Sequence, residues 1–336
     1  MAHARLPAFS SDKITSTWLS TILAETVHIN KIQPLSSGYI ADVFRVHLKT
    51  ALTTTDGQSV IVKMASQVPS KRRLANQFNS YQREHKFYKN IAPELALNTP
   101  QCYYNHFQLA PLSLCLVLED VNYDLPGLGN QPFPQIKNHA VLKHLAALHK
   151  SHWNQGKGLP AFIDNLDQIG ASYNTVFRRQ HVLSTNLLSN FSMQVIEHYI
   201  DQGPPVQPPH PSTLIHVDFK PDNFSLKNHL TVFDWGDYCF GPPAFDLAYF
   251  MMHRPARPDL TLERDLNLLK TYHNALLELD ILDYTKEKLQ EDFREILPLL
   301  AYTPLALLDM DPADASKKHQ LSSSLWQLGQ MIDRHC

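Results

Sequence analysis

A chain of 336 residues suggests one large or two medium domains, and 43% hydrophobic against 18% charged residues is a globular balance that can bury a sizeable core. A net charge of −2 gives no electrostatic footprint for nucleic acid or an anionic membrane. Cys102, Cys115, Cys239 and Cys336 are scattered without a Cys-x-x-Cys pair, which argues against a disulfide framework or zinc site and for reduced thiols in the cytosol.

Met1-Ala-His-Ala-Arg5 leads into no apolar core, so no secretory signal is expected. The most apolar run, Ile296 to Met310, is too short to span a bilayer and contains Pro298 and Pro304; it reads as buried core. His144, His149 and His152 share a helical stretch, but no acids beside them suggest a metal site.

In chain order, Ser11 is a fair cap for a helix from Lys13 to Glu25, with Ile14, Trp18 and Ile22 on one face. Ile29 to Leu35, Asp42 to Leu48 and Ser59 to Met64 read as three strands, with Thr54-Thr55-Asp56-Gly57 as a hairpin turn before the third. Between the first two strands, Ser36, Ser37 and Gly38 could place backbone N–H groups and hydroxyls over phosphates, although taken alone one glycine favours an ordinary hairpin turn. Lys63 tips the balance. It lies inside Val60-Ile61-Val62-Lys63-Met64, where a buried ammonium needs a partner unless it snorkels from an edge strand. Glu84 shares a helix face with Tyr81 and Tyr88, which should point inward, so Lys63 and Glu84 are expected to pair, with Lys63 touching the α- and β-phosphates of a nucleotide.

Gln101 to Gln108 and Ser113 to Leu118 complete a five-stranded antiparallel sheet. Glu119 to Asn122 breaks the apolar pattern. We place a lobe boundary there, 1–119 against 120–336, with adenine held by backbone groups near Glu119 and Val121. Helical stretches follow at Pro134 to His152, Gly170 to Arg179 and Ser184 to Ile200. Then Gly203 to Pro211 is too rich in proline for helix or central strand.

Ile215-His216-Val217-Asp218-Phe219-Lys220-Pro221-Asp222-Asn223, then Phe233-Asp234-Trp235-Gly236, has the layout of a phosphoryl-transfer site. Asp218 would accept or orient a hydroxyl proton, Asn223 and Asp234 would hold Mg²⁺, and His216 would brace the loop. Lys220 would stabilise charge on the transferred group or else be a solvated lysine. Asp246, at the start of the helix after Gly241-Pro-Pro, can accept N–H bonds and brace the same loop. Leu260 to Leu279, Tyr284 to Leu300 and Ser316 to His335 read as amphipathic helices around an acceptor pocket.

Several of these pieces occur in order over residues 36–250: Ser36 to Arg45, Val62-Lys63, Arg83 to Tyr88, Leu116 to Asp120, Leu145 to His149, His216-x-Asp218 to Asn223, Asp234-Trp235, and Gly241 to Ala248. With them the chain resembles the aminoglycoside phosphotransferase and choline kinase-like families, nearest their ecdysteroid-kinase-like branch. The resemblance implies an α+β, two-lobed protein-kinase-like fold and ATP-dependent, Mg²⁺-assisted phosphorylation of a small-molecule hydroxyl in the cytoplasm. It assigns the roles already given to Asp218, Asn223, Asp234, Lys63 and Glu84. Val217 departs from the glycine many members carry after the histidine. Only eleven residues (235–245) separate Asp234 from Asp246, too few for the activation segment of a protein kinase. A silent nucleotide-binding module and a nucleotidyl transferase are the competing readings.

Overall fold

We describe the fold from a computed structural model, which covers residues 11–35, 40–50, 53–95, 97–121, 137–161, 175–180, 186–202, 211–226, 229–253, 261–309 and 315–336. Ser36, Ser37 and Gly38, most of the segment after Val121 and the proline-rich connector at 203–210 lie outside these residues. The chain divides into two compact units, one of the residues up to Leu128 with Phe224–Asp237, the other of Gly129–Asn223 with Tyr238–Cys336.

In the first unit, strands β1 (Val27–Pro34), β2 (Ala41–Thr50), β3 (Thr53–Ala65), β4 (Cys102–Gln108) and β5 (Ser113–Glu119) form an antiparallel sheet in the order β1-β2-β3-β5-β4. Thr50 pairs with Thr53, so Thr54–Gly57 belongs to β3 and the reversal comes earlier than Asp56-Gly57 suggests. Alternation along β3 puts Val60, Val62 and Met64 on one face, in a core with Ile14 and with Trp18 and Leu19 of the N-terminal helix. That helix runs Ser16–Leu23, and its cap is Thr15 rather than Ser11: the Thr15 hydroxyl accepts the Trp18 N–H at 3.2 Å. Lys63 therefore leaves by the other face, toward the helix Ser80–Lys86. A short hairpin, β7 (Phe224–Ser225) with β8 (Thr231–Val232), joins the unit through Asn98, whose carbonyl accepts the Val232 N–H at 3.0 Å.

The second unit is helical around a two-stranded ribbon, β6 (Thr213–Ile215) and β9 (Cys239–Gly241). The helix Lys137–Ser151 buries Val141, Leu142, Leu145 and Leu148, so the expected stripe is core. It packs along Leu262–Leu277. The helix Lys286–Leu300 packs against Pro243–Met252, which is buried along its whole length. Thr261 and Thr285 cap two of these helices by accepting the N–H of Arg264 and Lys288. Asp265, 2% exposed, ties the C-terminal helix Ala315–His335 down by accepting from Arg334 Nη2 at 2.7 Å and His335 Nε2 at 3.2 Å. Among the described residues, no helix is long and apolar enough to cross a membrane.

Candidate active site

The first unit presents a cation held between two carboxylates. Lys63 projects from the middle of the sheet, paired with Val43 on β2 and Leu116 on β5, and is 7% exposed. Its Nζ lies 2.8 and 2.7 Å from the two Glu84 oxygens and 2.6 Å from Asp234 Oδ1. Tyr81, Glu84 and Tyr88 are all buried, as their shared helix face predicts. Burial alone would lower the Lys63 pKa, but Asp234 and Glu84 outweigh it, so the ammonium stays charged. Burial pushes the Glu84 carboxyl upward against the pull of Lys63. Asp234, the more exposed of the two carboxylates, brings the kind of hard oxygen that a divalent cation takes.

Asp234 adopts φ +68°, a left-handed conformation that aspartate tolerates better than most residues. Trp235 fixes the turn from behind. Its ring stacks on Phe87 with centroids 4.0 Å apart, and its Nε1 donates to the Val232 carbonyl at 3.0 Å. The start of β2 is anchored too: Tyr81 donates to the Ile40 carbonyl while accepting the Ser66 N–H at 3.0 Å. At the end of β5, Asp120 accepts from Arg45 Nε at 2.5 Å and Ser59 Oγ at 2.6 Å. Two backbone groups near the expected adenine position already have partners. The Glu119 N–H donates to the Gln101 carbonyl at 2.8 Å, and the Val121 carbonyl accepts from Ser225 at 2.7 Å.

The second unit carries the loop that leaves β6. Asp246, fully buried on the helix Pro243–Met252, accepts the His216 N–H at 2.7 Å on one oxygen and the Val217 N–H at 2.8 Å on the other. His216 in turn accepts the Asp218 N–H on Nδ1 at 3.2 Å. The bracing expected of Asp246 and His216 is thus present. Asp218 Oδ1 takes Lys220 Nζ at 2.8 Å, and Oδ2 takes Asn223 Nδ2 at 2.7 Å. With its nitrogen engaged there, Asn223 has its amide oxygen to offer a cation. Burial would raise the Asp218 pKa, but the Lys220 charge and hydrogen bond hold the carboxyl below its ordinary value.

His253 is a residue that sequence reasoning passed over. It ends the Pro243–Met252 helix, its Nδ1 bonds the Tyr249 carbonyl at 3.0 Å, and its ring feels the charges of Lys220, Asp218 and Asp222. Burial and Lys220 push its pKa down to about 4, so a neutral imidazole stands near Asp218 at pH 7. Gln320 was passed over as well; its amide donates to Asp222 at 2.6 Å and links the C-terminal helix to the loop.

Val217 has φ +73°. A β-branched side chain is costly there, and Asp246 fixes the conformation by holding the Val217 N–H. Val217→Gly should therefore raise stability by roughly 1 kcal/mol, the relieved strain exceeding the added freedom of the unfolded chain. Urea denaturation would measure it; a less stable variant would show that Val217 is unstrained.

A family model described as a phosphotransferase enzyme family matches residues 31–286. Among curated proteins nothing matches the chain. A GDP complex of aminoglycoside 2'-phosphotransferase-IIIa superposes with a TM-score of 0.55 at 16% identity, covering 94% of this chain and 97% of that one. A choline kinase from Streptococcus pneumoniae superposes with a TM-score of 0.54 at 14% identity, covering 95% and 99%. A putative aminoglycoside phosphotransferase from Ralstonia eutropha gives 0.54 at 12% identity, covering 94% and 97%.

Proposed function

Because the chain belongs to the phosphotransferase enzyme family, we propose that it transfers the γ-phosphoryl group of ATP to a hydroxyl of a small-molecule metabolite or antibiotic in the cytoplasm. Family membership makes it a kinase-like enzyme with an alcohol group as acceptor. The nucleotide, the metal and the nature of the acceptor are our reading. So is the nearness to the ecdysteroid-kinase-like branch, which rests on the motifs alone.

The observation that supports the reading most is Asp218: a carboxylate kept ionised by Lys220 and aimed by Asn223, on a loop whose backbone Asp246 holds. In the reaction, the substrate hydroxyl gives its proton to Asp218 as its oxygen bonds the γ-phosphorus, and the bond to the departing ADP breaks. Lys63, kept in place by Glu84, contacts the α- and β-phosphates. Ser36, Ser37 and Gly38 are assigned further phosphate contacts, and backbone groups near Glu119 and Val121 would hold the base. Asn223 and Asp234 supply the hard oxygen ligands that suit Mg²⁺, which when bound neutralises phosphate charge. Lys220 stabilises charge on the transferred group.

A coupled ADP-release screen of the purified protein over hydroxylated metabolites and antibiotics, with products weighed by mass spectrometry, tests the proposal. It expects a Mg²⁺-dependent hit whose product gains one phosphoryl group. A product carrying AMP would indicate nucleotidyl transfer, and nucleotide binding without turnover would indicate a silent module; either overturns it.

The pH profile should follow Lys220. Asp218 acts as a base only above its pKa, and Lys220 holds that pKa down. In Lys220→Met the carboxyl rises, so the acid limb of kcat/KM should move to higher pH while the alkaline side keeps its shape. An unmoved acid limb would show that a group other than Asp218 sets it.

A further inference from the structure

Behind the loop, within the second unit, a polar chain crosses three helices. Tyr272 on Leu262–Leu277 is fully buried, and its hydroxyl lies 2.5 Å from Nδ1 of His149. His149 on Lys137–Ser151 is also fully buried, and its Nε2 lies 3.3 Å from Oδ2 of Asp246. The same Oδ2 accepts the His216 N–H. The Tyr272 ring meets the imidazole edge-on at 5.7 Å, and the His149 carbonyl accepts the Thr213 hydroxyl at the start of β6.

Three buried polar groups in one line are costly unless each hydrogen bond has a donor and an acceptor. A phenol is a donor until it ionises, and burial, reinforced by the Asp246 charge, pushes the Tyr272 pKa well above its ordinary value. The Asp246 carboxylate can only accept, so Nε2 carries a proton, and the un-ionised Tyr272 O–H is placed to donate to Nδ1. A neutral imidazole whose Nδ1 accepts must carry its proton on Nε2, and that N–H points at Asp246. With the tautomer reversed, the phenol would have to accept from Nδ1–H, and the Nε2 lone pair would face a carboxylate oxygen.

We propose that Tyr272 is a positioning residue for phosphoryl transfer: it fixes His149 as the Nε2–H tautomer, and His149 in turn orients the carboxylate that holds the backbone before Asp218. This rests on the role proposed for Asp218, but its first test does not. In full-length protein labelled with ¹⁵N-histidine, the resonances lost in His149→Gln should show an unprotonated Nδ1 and a protonated Nε2. In Tyr272→Phe only the longer 3.3 Å contact to Asp246 still favours Nε2–H, so the pattern should change to a mixture of tautomers. Finding Nδ1 protonated in the wild-type protein, or an unchanged pattern in Tyr272→Phe, overturns the proposal whether or not an acceptor is known.

The second test is kinetic, with Mg²⁺-dependent ATP hydrolysis as the readout or, once the screen has found one, transfer to an acceptor. Tyr272→Phe should lower kcat about tenfold, as expected for a slightly misplaced reacting group, with the nucleotide KM unchanged. A loss of thermal stability with kcat intact would make Tyr272 purely structural and overturn the proposal. If the wild-type protein turns over nothing while the tautomer result stands, the proposed function fails and the account of His149 does not.

Discussion

Asp218→Ala should lower kcat by roughly 10²–10⁴-fold, the usual contribution of a positioned general base, while nucleotide affinity stays within a few-fold of wild type. The two observables separate because Asp218 is assigned to the acceptor hydroxyl and Lys63 to the phosphates. Asp218→Asn is the sharper companion. Asp218 now takes one N–H donor on each oxygen, from Lys220 and from Asn223. An asparagine can accept only on its single oxygen, so one donor would face an amide nitrogen, a mismatch of about 1–3 kcal/mol. The asparagine variant should thus be as inactive as the alanine one and also displace Asn223, weakening Mg²⁺ dependence. Steady-state kinetics over a magnesium titration, with nucleotide binding by calorimetry, would measure both. Undiminished turnover in either variant would remove Asp218 from the chemistry.

The parts of this molecule legible in its sequence are those whose signals are local. The strands alternate, Lys63 stands out because it interrupts an apolar run, and Glu84 takes its orientation from Tyr81 and Tyr88 within a single helix. The catalytic loop is likewise compressed into six residues, and its internal bonds from Asn223 and Lys220 to Asp218 span five and two positions. What escaped depends on distance. His149 meets Asp246 across 97 positions and Tyr272 across 123, and an apolar stripe that ends in histidine gives no sign of either partner. The positive φ of Val217 was invisible because valine is a poor choice for it; the conformation comes from Asp246 and not from the residue itself. The misplaced hairpin turn is the opposite case: the strong local signal of Asp56-Gly57 lies within β3, and the reversal comes earlier, where Thr50 pairs with Thr53.

Asp234→Asn should leave the fold intact and lower kcat by at least about 10²-fold, through loss of a charged oxygen at the proposed metal position. Two features of Asp234 let the backbone and carboxylate roles be separated. Its φ of +68° is one that asparagine adopts readily, so thermal stability should be close to wild type. Alanine at the same φ adds strain of roughly 1–2 kcal/mol, so Asp234→Ala should be equally inactive but measurably less stable. Lys63 provides the second signature. It now shares its charge between Glu84 and Asp234, and without the latter carboxylate it rests on Glu84 alone. Nucleotide without metal should then bind Asp234→Asn as well as or better than wild type, because one negative charge facing the phosphates is gone. The added affinity that magnesium confers should largely disappear. Calorimetric titrations of ATP with and without Mg²⁺ on both variants would measure this. An asparagine variant that keeps its magnesium-linked affinity would place the metal on other ligands and leave Asp234 as a partner of Lys63 only.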